Sequence, residues 1–144
     1  MTLHATDQLR TLPRRDPVIT RADATLRAVA HTLWSESVGI AVVGDAHRPR
    51  GLISERDIVA ALAQGADPDT MTAAQAMTTH LISARPEDPL FDVTLQMIDD
   101  GIRHLPILDE NGAVVGMVSV RDLLRPLLLD ALSGGDRTSG GSEQ

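Results

Sequence analysis

Two copies of one polar motif lie 65 residues apart in the chain. Residues 51–58 read Gly-Leu-Ile-Ser-Glu-Arg-Asp-Ile, and residues 116–123 read Gly-Met-Val-Ser-Val-Arg-Asp-Leu. The recurring polar side chains are Ser54, Arg56, Asp57, Ser119, Arg121 and Asp122. A carboxylate accepts hydrogen bonds on two oxygens, and a guanidinium binds anions through a planar set of donors. The repeat indicates a duplicated unit whose polar residues are candidates for binding a small polar molecule or an anion.

The same residues also have a structural explanation, because each motif stands where a helix should begin. A serine at the N-cap accepts a hydrogen bond from the first helical turn, and an acid three residues later returns one as a capping box. Capping and ligand contact are compatible, so both interpretations remain open for Asp57 and Asp122. Arg56 and Arg121 lie in the first turn, where the helix dipole disfavours a cation. Their recurrence favours a bound phosphate or a paired aspartate, and the alternative is a solvated side chain.

Hydrophobic spacing predicts that each unit is built as strand, helix, strand, strand, helix. In the first unit the predicted ranges are strand 18–20, helix 26–33, strand 39–43, turn 44–50, strand 52–53 and helix 54–64. In the second they are strand 80–84, helix 90–101, strand 102–108, a hairpin turn at Asp-Glu-Asn-Gly 109–112, strand 114–118 and helix 119–132. We expect a first domain over 7–64, a linker over 65–79 with a short helix at 73–77, a second domain over 80–132 and a disordered tail at 133–144.

One such unit is too small to bury both its sheet and its helices. We therefore expect an α/β (α+β) fold in which the two units pack through equivalent faces about a pseudo-twofold axis. That packing creates two equivalent grooves between the halves.

Composition excludes several functional classes. The 13 Lys and Arg against 20 Asp and Glu give a net charge of −7, which argues against a nucleic-acid partner. There is no cysteine, no apolar run near the roughly 20 residues of a membrane span and no visible secretory signal, so we expect a cytoplasmic protein. His4, His31, His47 and His80 lack metal-ligand spacing. No glycine-framed nucleophile turn or phosphate-binding Gly-Lys loop occurs, so we expect no enzyme activity, metal or cofactor.

The element order, the glycine-led return strand and the Ser-x-Arg-Asp helix start resemble the cystathionine β-synthase (CBS) domain. The run Gly-Ile-Arg-His-Leu-Pro-Ile-Leu-Asp-Glu-Asn-Gly at 101–112 is similar to that family's second-strand pattern. The pair, over about residues 7–130, resembles a stand-alone bacterial Bateman module. The spacer Gly-Ala-Asp-Pro-Asp-Thr at 65–70 is similar to that of actinobacterial hypoxic-response proteins of this type.

This resemblance implies a regulatory module that binds an adenosine-containing ligand (AMP, ADP, ATP or S-adenosylmethionine) in the grooves. It implies that Asp57 and Asp122 hold ribose hydroxyls, that adenine lies against the strands, and that basic residues meet phosphates. Thr20 would share a groove with Asp122, and Ser83 one with Asp57. The strand residues expected at the ligand are Thr20, Gly39, Ile40, Ile82, Ser83, Ile102, Arg103, His104 and Pro106. The alternatives are turn hydroxyls for Thr20 and Ser83, and a surface pair for Arg103 and His104.

The two grooves should not be equivalent. The first half has an apolar stretch, residues 38–42, in place of Arg103 and His104. The resemblance further implies a homodimer, for which we expect the helices at 58–62 and 123–132 to provide the faces, and a protein partner that reads the ligand state. The alternative function is an interaction scaffold with no physiological nucleotide, which the asymmetry of the first half and the resemblance to hypoxic-response proteins both favour.

Overall fold

A computed structural model describes residues 4, 6–80 and 82–134 of the 144-residue chain. The first half contains β1 (Ile19–Thr20), α1 (Leu26–Glu36), β2 (Ile40–Gly44), β3 (Pro49–Ser54) and α2 (Glu55–Ala63). The second contains α3 (Ala73–Ala76), α4 (Leu90–Asp100), β4 (His104–Leu108), β5 (Val114–Ser119) and α5 (Val120–Gly134). The predicted mixed fold of two similar halves is confirmed.

Each half is built on an antiparallel hairpin followed by a helix. In the first half β1 pairs parallel with β2, and β2 pairs antiparallel with β3. In the second half β4 and β5 form the corresponding two-stranded sheet. The register aligns the halves, because Ile40 pairs with Ser54 in one hairpin and His104 pairs with Ser119 in the other. Ile40 and His104 therefore occupy equivalent places.

Of the strand predicted at 80–84, the described residues 80 and 82–84 form one β-bridge, between Ala84 and Ile107. The chain turns away directly after it, because Arg85 donates its N–H to the Asp88 carboxylate and Asp88 returns an N–H to the Arg85 carbonyl. The strand predicted from 102 begins instead at His104. Ile102, which follows the Gly101 C-cap, donates its N–H to the Met97 carbonyl and so closes the end of α4.

The strand predicted at 52–53 is longer and begins at Pro49, because Pro49 still pairs with Gly44 of β2. A bulge lies between Val43 and Gly44, and the φ of +101° at Gly44 suits glycine. The predicted hairpin turn at 109–112 is present, but only Gly112 has positive φ there (+82°). The Asp109 carboxylate closes this turn by accepting the N–H groups of Asn111 and Ala113. Of the predicted tail, Ser133 and Gly134 belong to α5, and residues 135–144 lie outside the described residues.

The leading segment of each half packs on the other half. The chain before β1 contains a short 3-10 turn, Leu9–Thr11, which the sequence analysis missed. Leu9 and Leu12 from this segment are buried in the core of the second half with Leu90 and Met97. Correspondingly, Ala73 at the start of α3 is buried in the core of the first half. This exchange ties the halves together.

Backbone pairing reinforces the exchange at the outer edges of the hairpins. On β3, Leu52 and Thr78 exchange N–H···O bonds of 2.9 and 2.8 Å. On β5, Met117 donates its N–H to the Arg15 carbonyl at 3.0 Å. Both edges are thus covered by chain that leads into the opposite half, which removes the open donors and acceptors of an edge strand. We call these two stretches, residues 9–15 and 73–78, the crossing segments.

A third apolar cluster fills the interface between the two hairpins. It consists of Ile40, Val42, Leu52, Val114 and Met117, which come from both halves. Burial of these side chains contributes on the order of 1.5–3 kcal/mol each. The cluster fixes the spacing between the sheets and hence the width of the grooves beside it.

The glycine of each repeated motif lies under the crossing segment. A Cβ on Gly51 would stand 2.7 Å from the Thr78 carbonyl oxygen, and a Cβ on Gly116 would stand 3.0 Å from the Arg14 Cδ. Glycine at these two places lets the crossing chain approach the strand closely.

We predict that Gly51→Ala destabilises the protein by about 1–3 kcal/mol, the usual cost of overpacking. Gly116→Ala should cost less, because its added methyl meets a flexible arginine side chain and not a backbone oxygen. Urea unfolding of the two variants measures this difference. Equal losses in the two variants would contradict this account of the crossing segments.

Candidate functional site

Both predicted capping boxes are present. At α5 the Ser119 N–H donates to Asp122 Oδ2 at 3.2 Å, and the Asp122 N–H donates to Ser119 Oγ at 3.1 Å. At α2 the corresponding distances for Ser54 and Asp57 are 2.9 and 3.2 Å. Each aspartate thus uses one carboxylate oxygen to hold its own helix start, which leaves the second oxygen free for other contacts.

The second oxygen of each aspartate contacts a side chain of a crossing segment. Asp57 Oδ1 accepts the Thr78 hydroxyl at 3.3 Å. Asp122 Oδ1 lies 3.6 Å from Arg15 Nη2, an ion pair in which the arginine side chain is 63% exposed and the aspartate 28%. Because Thr78 and Arg15 cover equivalent strand edges, these two contacts are counterparts. One carboxylate faces a neutral hydroxyl and the other a cation.

Asp122 lies at a cleft between the two halves. The cleft opens to solvent. The second half contributes His104, Met117, Val118, Ser119 and Asp122, and the first half contributes Arg15, Asp16, Val18, Ser37, Val38 and Ile40. Its lining is mostly apolar and includes polar side chains from both halves. This combination suits a ligand with a flat apolar part and a hydroxylated or charged part.

His104 and Gly39 are in contact where the halves meet. A Cβ on Gly39 would stand 2.5 Å from Cε1 of the imidazole, so the ring takes the space that a side chain would need. The apolar first-half stretch and the polar His104 therefore line one shared region. This contact explains why the two halves differ at these positions, since two bulky groups would not fit there.

Four predicted ligand residues line this cleft, namely Ile40, His104, Ser119 and Asp122. Thr20 is buried at 7% exposure and does not line it, whereas Val18 does. Ser83, the counterpart of Thr20, is half-buried. Two more of the predicted strand residues, Ile82 and Ile102, are half-buried and pack on the core of the second half.

The three predicted arginines do not line the cleft. Arg56, Arg103 and Arg121 are exposed, and none forms an ion pair with a carboxylate of the described residues. Pro106 is buried in β4 opposite Met117.

Arg15, Asp16 and Ser37 also line the cleft and were not predicted from the sequence, whereas Val38 belongs to the apolar stretch that was. A signal for Arg15 was present, since it stands 63 residues before Thr78, close to the offset of the repeat. A charged arginine and a neutral threonine do not look like counterparts in a sequence, however. The structure shows that they are, because they pair with equivalent strand edges.

Burial sets the charge state of the cleft histidine. Desolvation lowers the pKa of His104 below its usual value of 6.5, and Arg103 and Arg15 add to this effect. Glu55 and Asp122 act in the opposite direction without reversing it. His104 is therefore neutral at pH 7 and carries both a donor and an acceptor. Among the described residues no cluster of three or more His, Asp or Glu could hold a metal ion.

The model of the CBS domain family matches the chain twice, at residues 9–64 and 73–129. The chain belongs to the CBS domain family, as a tandem pair. The second match begins at α3 and the first at the 3-10 turn, so each includes its own crossing segment. None of the helices in the described residues is long and apolar enough to cross a membrane.

The family relationship extends to named relatives. An uncharacterized protein of Methanopyrus kandleri is 32% identical over 114 residues, which cover 78% of this chain and 58% of that protein. This chain therefore spans less than two thirds of that relative's length. Hypoxic response protein 1 of Mycobacterium tuberculosis is 30% identical over 105 residues, covering 72% of this chain and 73% of that protein.

Solved CBS pairs share the fold. A CBS domain protein of Pyrobaculum aerophilum, complexed with AMP, is 34% identical with a TM-score of 0.76, and the match covers 87% of this chain and 98% of that one. The CBS domain pair of protein MJ0100, in complex with 5′-methylthioadenosine and S-adenosylmethionine, is 25% identical with a TM-score of 0.73, covering 83% and 98%.

We predict that the free energy of unfolding falls as the pH decreases below about 6.5, in part through His104. Its folded-state pKa lies below its unfolded value, so the unfolded chain binds the proton first and stability is lost on acidification. His104→Gln should make the decrease shallower in urea unfolding between pH 7 and 5. The control is His31→Gln on the exposed face of α1, which should retain the wild-type slope. An unchanged slope in His104→Gln would contradict the burial argument.

Proposed function

We propose that this protein is a regulatory module that binds an adenosine-containing ligand in the Asp122 cleft. The observation that carries the proposal is the Asp122 carboxylate, which caps α5 with one oxygen and presents the other to a cleft between the halves. A carboxylate in that position suits a ribose, because it can accept hydrogen bonds from neighbouring hydroxyls. The AMP complex of the Pyrobaculum relative supports this ligand class.

The remaining lining residues fit the other parts of such a ligand. Val38, Ile40 and Met117 provide apolar surface for a purine ring. His104 in its neutral form can donate or accept one hydrogen bond to a substituent of the ribose. The N-terminus of α5 adds partial positive charge from the helix dipole near Asp122. Together these groups account for a base, a sugar and an anionic substituent without a catalytic step.

Binding at this position would act on the relation between the halves. The cleft takes residues from both, so a ligand that contacts Ile40 on one side and Asp122 on the other stabilises their packed arrangement. A ligand changes a conformational equilibrium only through a difference in affinity between the states. We propose that a regulated protein partner reads the resulting stability or shape.

The Asp57 side supports the alternative, a scaffold without a nucleotide. Asp57 already accepts from both Ser54 and the Thr78 hydroxyl, and Ile40 occupies the place equivalent to His104. A ligand that binds the Asp57 carboxylate must displace the Thr78 hydroxyl from it. We therefore expect the Asp122 cleft to be the main binding site.

Thermal unfolding with added AMP, ATP or S-adenosylmethionine tests the proposed function. A ligand at 100 times its Kd should stabilise the wild type by about 2.7 kcal/mol. Asp122→Asn keeps an acceptor for the helix cap but loses the charge and one carboxylate oxygen, so the ligand-induced shift should be largely lost.

Thr25→Ala is the matched control, since it removes a cap hydrogen bond at α1, outside the cleft, at a cost of about 1 kcal/mol and leaves the Asp122 carboxylate in place. This variant should melt earlier than wild type and still respond to ligand. No shift of the wild type with any of the compounds at millimolar concentration would support the scaffold function.

We further propose that the protein forms a homodimer through an apolar surface on α4 and α5. Its large exposed side chains are Phe91, Leu95, Ile98, Leu128, Leu129 and Leu132. Contiguous exposed apolar surface usually marks an interface. The helices expected at 58–62 and 123–132 contribute only in part, because Ile58 and Leu123 are buried in the cores. The apolar stripe on α4, formed by Phe91, Leu95 and Ile98, was not predicted from the sequence.

The same stripe is absent from the first half. The positions 64 residues before Phe91, Leu95 and Ile98 hold Arg27, His31 and Trp34. Arg27 is tied to Asp69 by an ion pair, and only Trp34, at 85% exposure, is a large apolar residue. The second half therefore offers the more hydrophobic face, and we place the centre of the dimer contact there.

Ile98→Glu should shift the protein from dimer to monomer, because a charge at the centre of an apolar contact is costly to desolvate. Multi-angle light scattering at micromolar concentration measures the mass. Gln96→Glu on the same helix is the control, since this exposed residue lies outside the apolar stripe and the variant adds the same charge. A dimer that persists in Ile98→Glu, or a monomeric wild type, would contradict the proposed surface.

A further inference from the structure

The two aspartates of the repeated motif meet different partners on equivalent strand edges. Thr78 gives Asp57 a neutral hydroxyl, and Arg15 gives Asp122 a full positive charge. Both partners are held at the backbone by the same kind of edge pairing, Thr78 on β3 and Arg15 on β5. The difference is therefore confined to the side chains and to what they offer a ligand.

The Arg15 backbone is held in place, whereas its side chain is exposed and only loosely paired. The carbonyl accepts the Met117 N–H at 3.0 Å, which anchors the residue beside the cleft. The guanidinium is 63% exposed and contacts Asp122 at 3.6 Å, longer than a charge-assisted hydrogen bond. Exposed ion pairs of this kind contribute little to stability. A competing partner can therefore separate the two groups at low cost.

Arg15 is also the only arginine or lysine among the described residues that line the cleft. The other ionisable side chains there are Asp16, Asp122 and the neutral His104. With Arg15 present the formal charges sum to about −1, and without it they would sum to about −2. The charge that an incoming ligand meets depends on this one side chain.

We propose that Arg15 sets the charge preference of the Asp122 cleft, by pairing with Asp122 in the free protein and turning to the ligand when it binds. The inference rests on the proposed function. A ribose that occupies Asp122 Oδ1 displaces the guanidinium from it. An AMP phosphate gives the displaced cation a new partner, whereas adenosine leaves it unpaired. S-adenosylmethionine brings a sulfonium close to it, which is repelled.

Isothermal titration calorimetry of AMP, adenosine and S-adenosylmethionine against wild type and Arg15→Gln tests this role. The wild type should bind AMP more tightly than adenosine. In Arg15→Gln that affinity ratio should fall about tenfold, because one charge-assisted contact is lost and no ion pair has to be broken. The affinity for S-adenosylmethionine should rise in the same variant.

Arg14→Gln is the matched control, since Arg14 lies in the same segment, packs over Gly116 and does not line the cleft. It makes the same change in net charge and should leave the ratio as in wild type. If the wild type binds AMP and the ratio of AMP to adenosine affinity is unchanged in Arg15→Gln, the role of Arg15 is overturned and the proposed function is not. Failure of all three compounds to bind either protein at millimolar concentration overturns the proposed function as well.

Discussion

The fold depends on the pairing of each crossing segment with the outer edge of the opposite hairpin. Thr78 on β3 and Arg15 on β5 cover edges that would otherwise expose unpaired backbone groups. The same segments carry Ala73 and Leu9 into the two cores. The repeated Gly51 and Gly116 lie under them, where a side chain would collide. The halves are consequently interdependent, and the cleft between them has a defined shape before any ligand enters.

The aspartate of the motif connects this framework to binding. One oxygen of Asp122 holds the start of α5, and that hydrogen bond fixes the direction in which the other oxygen points. A preorganised acceptor of this kind binds without a loss of side-chain freedom at the moment of contact. The helix cap and the proposed ligand contact are therefore compatible uses of the same carboxylate.

Local patterns in the sequence were sufficient for the helices and their caps. The spacing of Leu90, Val93 and Met97 predicted α4, and Ser119 with Asp122 predicted the capping box. The crossing segments were not predictable, because the contacts of Arg15 with Met117 and of Leu9 with Leu90 join distant parts of the chain. For the same reason the partner of each aspartate was missed. A difference between the two grooves was predicted because Arg103 and His104 have no basic counterpart in the first half. The structure adds a second difference, since Asp122 faces Arg15 whereas Asp57 faces Thr78.

The proposed adenosine ligand lies between the halves with its ribose on Asp122. A crystal structure of the protein grown with AMP tests this placement. We expect density for the nucleotide in the cleft beside Ile40 and His104, with the ribose hydroxyls on the Asp122 carboxylate and the Arg15 guanidinium moved away from it. Nucleotide density elsewhere on the molecule, or a cleft without nucleotide in which the Arg15–Asp122 pair is intact, would contradict it.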